Sequence, residues 1–192
     1  MASALIHLAI GMKHINIFEI ENKKEFLDGC IAPDIIGLQG KEQKYKAHYS
    51  EERDNITTVK EMFASKTNLY NFLKENDINS DYNKGYFLHL IGDYYFFNYF
   101  LYKPELEERK ISFKEIYKDY ERVAKKVRKK YNVDDSNTPW HNKSEEGNPI
   151  YFTLNGIFDF IEKCGKIELN ELKNTILNAG ENWCNEIQKF YN

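Results

Sequence analysis

The chain has 192 residues, of which 42% are hydrophobic and 30% charged, so it can bury a sizeable core and does not have the composition of a disordered protein. Its formal net charge is only −3, which argues against a nucleic-acid protein held by bulk electrostatics. The chain contains only ten glycines and four prolines, whereas 15% of its residues are aromatic. This scarcity of helix breakers favours a helical protein and disfavours Rossmann and β-sandwich folds.

The first quarter of the chain predicts two helices followed by a polar loop. Residues 3–18 are apolar on most sides, as in a buried helix. Asn22 and Glu25 have the spacing of a capping box and open a second helix, which Pro33 is expected to end. Residues 37–55 contain two glycines and many charges, so they predict a loop with one short helical turn.

The remainder of the chain is also expected to be mainly helical. Residues 80–102 are the most hydrophobic segment and predict the central helix. Ser112 opens an amphipathic helix through a second capping box, and residues 132–149 predict a long loop. Further helices are expected at 56–64, 67–76 (capped by Thr67), 150–163 and 168–190. The sequence therefore predicts a single all-α domain spanning residues 1–192.

The sequence also predicts where the protein resides. No run of 18 uninterrupted apolar residues occurs, so we expect no transmembrane helix. The N-terminal segment lacks the basic start and the cleavage pattern of a signal peptide. Three cysteines without a CxxC pair indicate neither a disulfide framework nor a thiolate zinc site. Together these features predict a cytoplasmic protein.

The predicted central helix contains a histidine and an aspartate that are expected to share one face. His89 and Asp93 are four residues apart, and their surroundings are apolar. A carboxylate buried there without a partner would cost several kcal/mol, so something must compensate its charge. A metal ion would do so, since histidine and aspartate at this spacing can bind one ion. Pairing of Asp93 with a cation or a helix end, and of His89 with a backbone carbonyl, is the structural alternative.

Other candidate ligands each have a simple structural explanation when considered alone. His7 lies in the apolar first helix with His14 two turns later, and a buried histidine there can be a satisfied core residue. His48 and His141 lie in polar segments, where exposed histidines are common. Asp34 follows a proline at an expected helix end, where it can act as a cap.

The order of these residues along the chain is more informative than any one of them. The succession is Ile6-His7, Gly29-Cys-Ile-Ala-Pro-Asp34, Lys46-Ala-His48-Tyr49 and Gly85-Tyr-Phe-Leu-His89-Leu-Ile-Gly-Asp93. Over about residues 5–100 it resembles the zinc-dependent phospholipase C family, whose all-helical fold is shared with zinc-dependent single-strand nucleases.

The resemblance implies a set of ligands and a reaction. By position, Asp34, His48, His89 and Asp93 match the ligands of one zinc, and His7 matches a ligand of a neighbouring zinc that shares Asp93. Asp34 also matches the residue that orients or deprotonates the attacking water. The implied activity is that of a zinc-dependent phosphoesterase, in which a metal-activated water attacks phosphorus. The implied substrate is a small phosphoester or a phospholipid head group, and no nucleic-acid partner is expected.

The sequence departs from the best-known members of that family at the third zinc site. Those enzymes hold a third zinc through two further histidines and a glutamate, whereas residues 94–99 contain no histidine and only His141 remains downstream. We therefore expect one or two ions, zinc or another divalent transition metal. A noncatalytic helical binding or regulatory module, with a structural metal or none, is the alternative, and an open coordination position would distinguish the two.

Overall fold

The computed structural model describes residues 3–52, 56–58, 61, 67–101, 110, 112–136, 138 and 144–191. In chain order the α-helices are α1 Ala4–Ile15, α2 Lys23–Gly37, α3 Lys41–Ala47, α4 Leu69–Glu75, α5 Asp81–Tyr95, α6 Phe113–Tyr131, α7 Leu154–Gly165, α8 Leu169–Ala179 and α9 Trp183–Glu186. Across these residues the one β feature is an isolated bridge between Thr58 and Lys110, and no sheet forms. The predicted all-α class is confirmed.

Two of the predicted helix starts are confirmed by their capping hydrogen bonds. The side chains of Asn22 and Ser112 each accept a hydrogen bond from the backbone N–H three residues later, at the start of α2 and α6. The predicted cap at Thr67 is wrong, because Asn68 is the residue whose side chain caps α4. Most of the helix expected at 56–64 falls on residues that the structure does not describe.

The expectation that Pro33 ends the second helix is wrong, because α2 continues to Gly37. Proline lacks the N–H that would bond the carbonyl four residues earlier, so an interior proline usually costs about 3 kcal/mol. Here α2 packs against α5 more extensively than any other pair of described helices pack together. Packing of α2 as a whole offsets the missing hydrogen bond, and the helix continues for four residues beyond Pro33.

Glycines bring the backbones of α2 and α5 into direct contact. A Cβ atom added at Gly29 would lie 2.1 Å from the Tyr82 carbonyl oxygen, and one added at Gly85 would lie 1.9 Å from the Phe26 carbonyl oxygen. Both contacts are with backbone, which cannot move aside as a flexible side chain can. The close approach of these two helices therefore depends on glycine at both positions.

We expect Gly85→Ala to lower the free energy of unfolding by at least about 3 kcal/mol, since the helices must separate to admit the methyl group. Urea unfolding measures this change. Gly37→Ala is the matched control, because the atoms nearest to a Cβ there belong to Lys44, mainly to its flexible side chain, at 3.3 Å and beyond. That variant should stay within about 1 kcal/mol of the parent. Equal stability of both variants would contradict the tight α2–α5 contact.

The predicted helices of the second half are confirmed in outline and corrected in detail. The central helix α5 is continued by a π-helical turn, Phe96–Phe100. The helix expected over 168–190 is interrupted at Gly180, whose φ of +57° ends α8. The loop expected over 37–55 contains the seven-residue helix α3, which is longer than the single turn predicted.

Helices α1, α2 and α5 pack against one another and form the centre of the described fold. Helix α3 packs on α2, while α6 and α7 pack on α1. Apolar side chains of α1, α2, α5, α6 and α7 belong to a common hydrophobic cluster. None of the described helices has the length and apolar character needed to cross a membrane.

Candidate metal centre

The five predicted ligands come from four separate elements and lie together in the structure. His7 is in α1, Asp34 is in the last turn of α2, and His48 directly follows α3. His89 and Asp93 lie one turn apart on α5. His7, His89 and Asp93 form one group whose ligand atoms lie within 4.8 Å of one another, and Asp34, His48 and His89 form a second. His89 belongs to both groups, so the five side chains make one continuous cluster.

The distances in this cluster are short and similar. The Nε2 atoms of His48 and His89 are 3.3 Å apart, and each lies 3.6 Å from Oδ2 of Asp93. Oδ1 of Asp34 is 3.5 Å from the same Nε2 atom of His48. These four side chains therefore direct their potential ligand atoms at one another.

His7 approaches the other oxygen of the shared carboxylate. Its Nε2 atom lies 3.4 Å from Oδ1 of Asp93, and its ring stacks on the ring of His89 with centroids 3.6 Å apart. The carboxylate of Asp93 thus lies between His7 on one side and the pair of His48 and His89 on the other. This is the arrangement in which one carboxylate can bridge two ions.

Backbone carbonyls determine which ring nitrogens of His48 and His89 carry hydrogen. Nδ1 of His89 lies 2.8 Å from the Cys30 carbonyl oxygen, and Nδ1 of His48 lies 2.7 Å from that of Lys44. A carbonyl can only accept, so each Nδ1 donates, and in the neutral ring each Nε2 presents a lone pair. The expected pairing of His89 with a carbonyl is present, but it leaves Nε2 free to face the cluster.

Burial makes this convergence of acceptors unfavourable unless a cation is present. The side chains of His7, His48, His89 and Asp93 are almost completely buried, whereas that of Asp34 is 11% exposed. Lone pairs and carboxylate oxygens repel one another at these distances, and little water can separate them. A metal ion or a proton among the Nε2 and carboxylate atoms would remove the repulsion.

The ionisation of the cluster follows from the same contacts. Burial alone would raise the pKa of Asp93, but contacts with His7 and His89 outweigh it and hold the pKa well below its usual range. Burial would also raise the pKa of Asp34, but the contact with His48 outweighs burial and lowers it. Both carboxylates are therefore ionised at neutral pH.

The pKa values of the two stacked histidines, His7 and His89, shift in opposite directions. Burial and the neighbouring His89 lower the pKa of His7, so its ring is neutral. Burial would also lower the pKa of His89, but Asp93 and Asp34 overcome it and raise the pKa. The raised pKa at His89 means that this point in the cluster favours positive charge.

The spacing of the ligand atoms fits a divalent transition metal. Ligand atoms on a tetrahedral zinc ion, with bonds of about 2.0–2.1 Å, are about 3.3–3.4 Å apart. The described N–N and N–O distances of 3.3 to 3.6 Å are close to that spacing. Imidazole nitrogen with carboxylate oxygen is a donor set that zinc, iron, manganese and nickel can share. The residues present therefore fit the metal implied by the sequence.

The other described histidine, His14, does not have this environment. His14 is buried, and its Nδ1 atom lies 3.2 Å from the Gly165 carbonyl oxygen. Its ring packs against Phe26, and burial lowers its pKa to about 4. It is a satisfied core residue outside both groups of candidate ligands. His141 lies outside the residues that the structure describes.

Sequence reasoning missed the groups that support the ligands. The carbonyl oxygens of Cys30 and Lys44 orient two histidine rings, and backbone acceptors of this kind have no sequence signature. Tyr86 was also missed, although its hydroxyl donates a 2.6 Å hydrogen bond to the carbonyl oxygen of Ala47, next to His48. Its position three residues before His89, on the same side of α5, is the signal that could have identified it.

No family model, no curated protein and no solved structure matches this chain. The resemblance to the zinc-dependent phospholipase C family therefore remains a prediction that depends on the motif residues.

Proposed function

We propose that the protein is a metal-dependent hydrolase that cleaves a phosphoester, with zinc or another divalent transition metal held by His7, Asp34, His48, His89 and Asp93. The observation that carries the proposal is the 3.3 Å approach of the Nε2 atoms of His48 and His89, each with its Nδ1 on a carbonyl oxygen. With each Nδ1 donating to a carbonyl oxygen, the two Nε2 atoms face each other as potential ligand atoms for one ion. A shared cation is the simplest way to stabilise that contact.

The exposure of the cluster supports catalysis over a closed structural site. Asp34 is the cluster residue with measurable exposure, so a substrate can approach from its side. A bound zinc would polarise the phosphoester and lower the pKa of a coordinated water. Asp34 has a lowered pKa and is ionised, so it can accept a proton from water on that side.

The alternative is a noncatalytic helical binding or regulatory module, with a structural metal or none. The nearly complete burial of four of the five side chains favours this alternative, because structural zinc sites are closed to solvent. In that case the metal would bind tightly and would have no position for a substrate. The two functions therefore differ in whether a small anion can reach the bound ion.

Elemental analysis of protein prepared without a histidine tag tests the metal site. We expect one or two equivalents of a transition metal after dialysis against zinc, and His14→Gln should keep this content because His14 lies outside the cluster. The loaded protein is then assayed with p-nitrophenyl phosphate, bis(p-nitrophenyl) phosphate and phosphatidylcholine vesicles. If the protein binds metal and hydrolyses one of these esters, the proposal is supported. If it binds metal but neither hydrolyses an ester nor binds inorganic phosphate, the structural module is supported. Absence of metal contradicts the hydrolase and favours a noncatalytic module without a metal.

A further inference from the structure

The position of His48 depends on contacts made by its neighbours in the chain. The other four cluster residues lie within α1, α2 and α5, which have 12 to 15 residues each, whereas His48 follows a helix of seven. The next residue, Tyr49, has a positive φ of +50°, an uncommon conformation for a residue with a side chain. Such a backbone persists only where surrounding contacts hold it.

Those contacts come from α5 and α4. The hydroxyl of Tyr86 donates a 2.6 Å hydrogen bond to the carbonyl oxygen of Ala47. The ring of Tyr86 stacks on Phe72, with centroids 5.3 Å apart, and Phe72 meets the ring of Tyr49 edge to face at the same distance. Asn76 donates a 2.8 Å hydrogen bond to the hydroxyl of Tyr49. The residues before and after His48 are therefore both fixed from outside α3.

We infer that Tyr86 is a positioning residue for the metal centre: its hydroxyl holds the Ala47 carbonyl and thereby places Nε2 of His48 against Nε2 of His89. This inference rests on the proposed metal site. One helix, α5, thus carries His89 and also the donor that aligns the second histidine with it. Burial raises the pKa of Tyr86, so the hydroxyl keeps its proton and donates at neutral pH.

Tyr86→Phe removes the hydroxyl and keeps the ring that stacks on Phe72. We expect zinc affinity, measured by competition with a chromophoric chelator, to fall about 10- to 100-fold, as for other groups that orient metal ligands. The absorption spectrum of the cobalt-loaded protein should change because the geometry at His48 changes. Tyr82→Phe is the control, since Tyr82 lies one turn earlier on α5 with its ring 6.3 Å from that of Tyr86. It should leave affinity and spectrum as in the parent.

A double-mutant cycle separates positioning from a general loss of stability. If Tyr86 acts through His48, then Tyr86→Phe should change zinc affinity less than twofold in a His48→Ala background. An undiminished effect in that background, or wild-type affinity and spectrum for Tyr86→Phe alone, would overturn the inference while leaving the metal site intact. Failure of the wild-type protein to bind zinc would overturn the proposed site, and the inference with it.

Discussion

Replacing Asp93 with asparagine is expected to weaken zinc binding at least about a hundredfold and to remove metal-dependent hydrolysis. Even groups that merely orient ligands change affinity 10- to 100-fold, and Asp93 lies within 3.6 Å of three histidine Nε2 atoms. Its two oxygens face different histidines, so the substitution removes the charge from both sides of the cluster. Chelator competition gives the affinity, and p-nitrophenyl ester hydrolysis gives the activity.

A second buried carboxylate provides the control for this substitution. Asp119 is fully buried on α6, where it accepts hydrogen bonds from the backbone N–H groups of Ile150 and Tyr151 and from Arg122. Asp119→Asn should lower stability, because these donors lose a charged acceptor, but it should change zinc affinity less than about threefold. If Asp93→Asn bound zinc as tightly as the parent, the cluster would not be a metal site.

Replacing Asp34 with asparagine is expected to lower kcat about 10²- to 10⁴-fold, the usual contribution of a general acid or base. The zinc-saturated variant should show a much smaller change in KM. Asp34 lies on the exposed side of the cluster, and the contact with His48, against the effect of burial, keeps its carboxylate ionised. Asparagine preserves the shape of the side chain but cannot accept a proton. Zinc content is measured in parallel so that loss of metal and loss of the base are separated.

Two further variants test this role of Asp34. Asp34→Glu retains a carboxylate and should recover part of the lost kcat. Asp28→Asn removes an exposed carboxylate from the same helix, where it pairs with Lys24, and should leave kcat unchanged. A kcat within threefold of the parent for Asp34→Asn, with zinc bound, would exclude Asp34 as the base.

The fold class could be predicted because its signals are local. The apolar segment that became α5 and the capping residues Asn22 and Ser112 depend on periodicity and on hydrogen bonds within one turn. The end of α2 could not be predicted in this way. Pro33 is locally a helix breaker, and the packing of α2 on α5 that outweighs it joins segments that are distant in the sequence.

For the candidate site, the sequence predicted which residues take part but not the geometry that they adopt. Motif order identified the five side chains that the structure brings together, but the tautomers of His48 and His89 depend on carbonyl oxygens that no sequence pattern marks. His14 shows that a favourable position in the sequence does not by itself place a residue in the site. Its helical spacing from His7 suggested a shared face, yet its ring packs on Phe26 instead. Sequence spacing predicts on which face of its helix a side chain lies. The contacts of that side chain depend on which other helix packs against that face.

The cluster joins three of the helices at the centre of the fold, and this has a consequence for the lifetime of the protein. Because α1, α2 and α5 each contribute a side chain, an ion bound there would resist their separation, and binding energy would become folding energy. At a free zinc concentration of about a thousand times Kd, the gain is about 4 kcal/mol. Chains without the metal would then unfold more often, and proteases would remove them faster. Abundance would follow metal supply even without any change in synthesis.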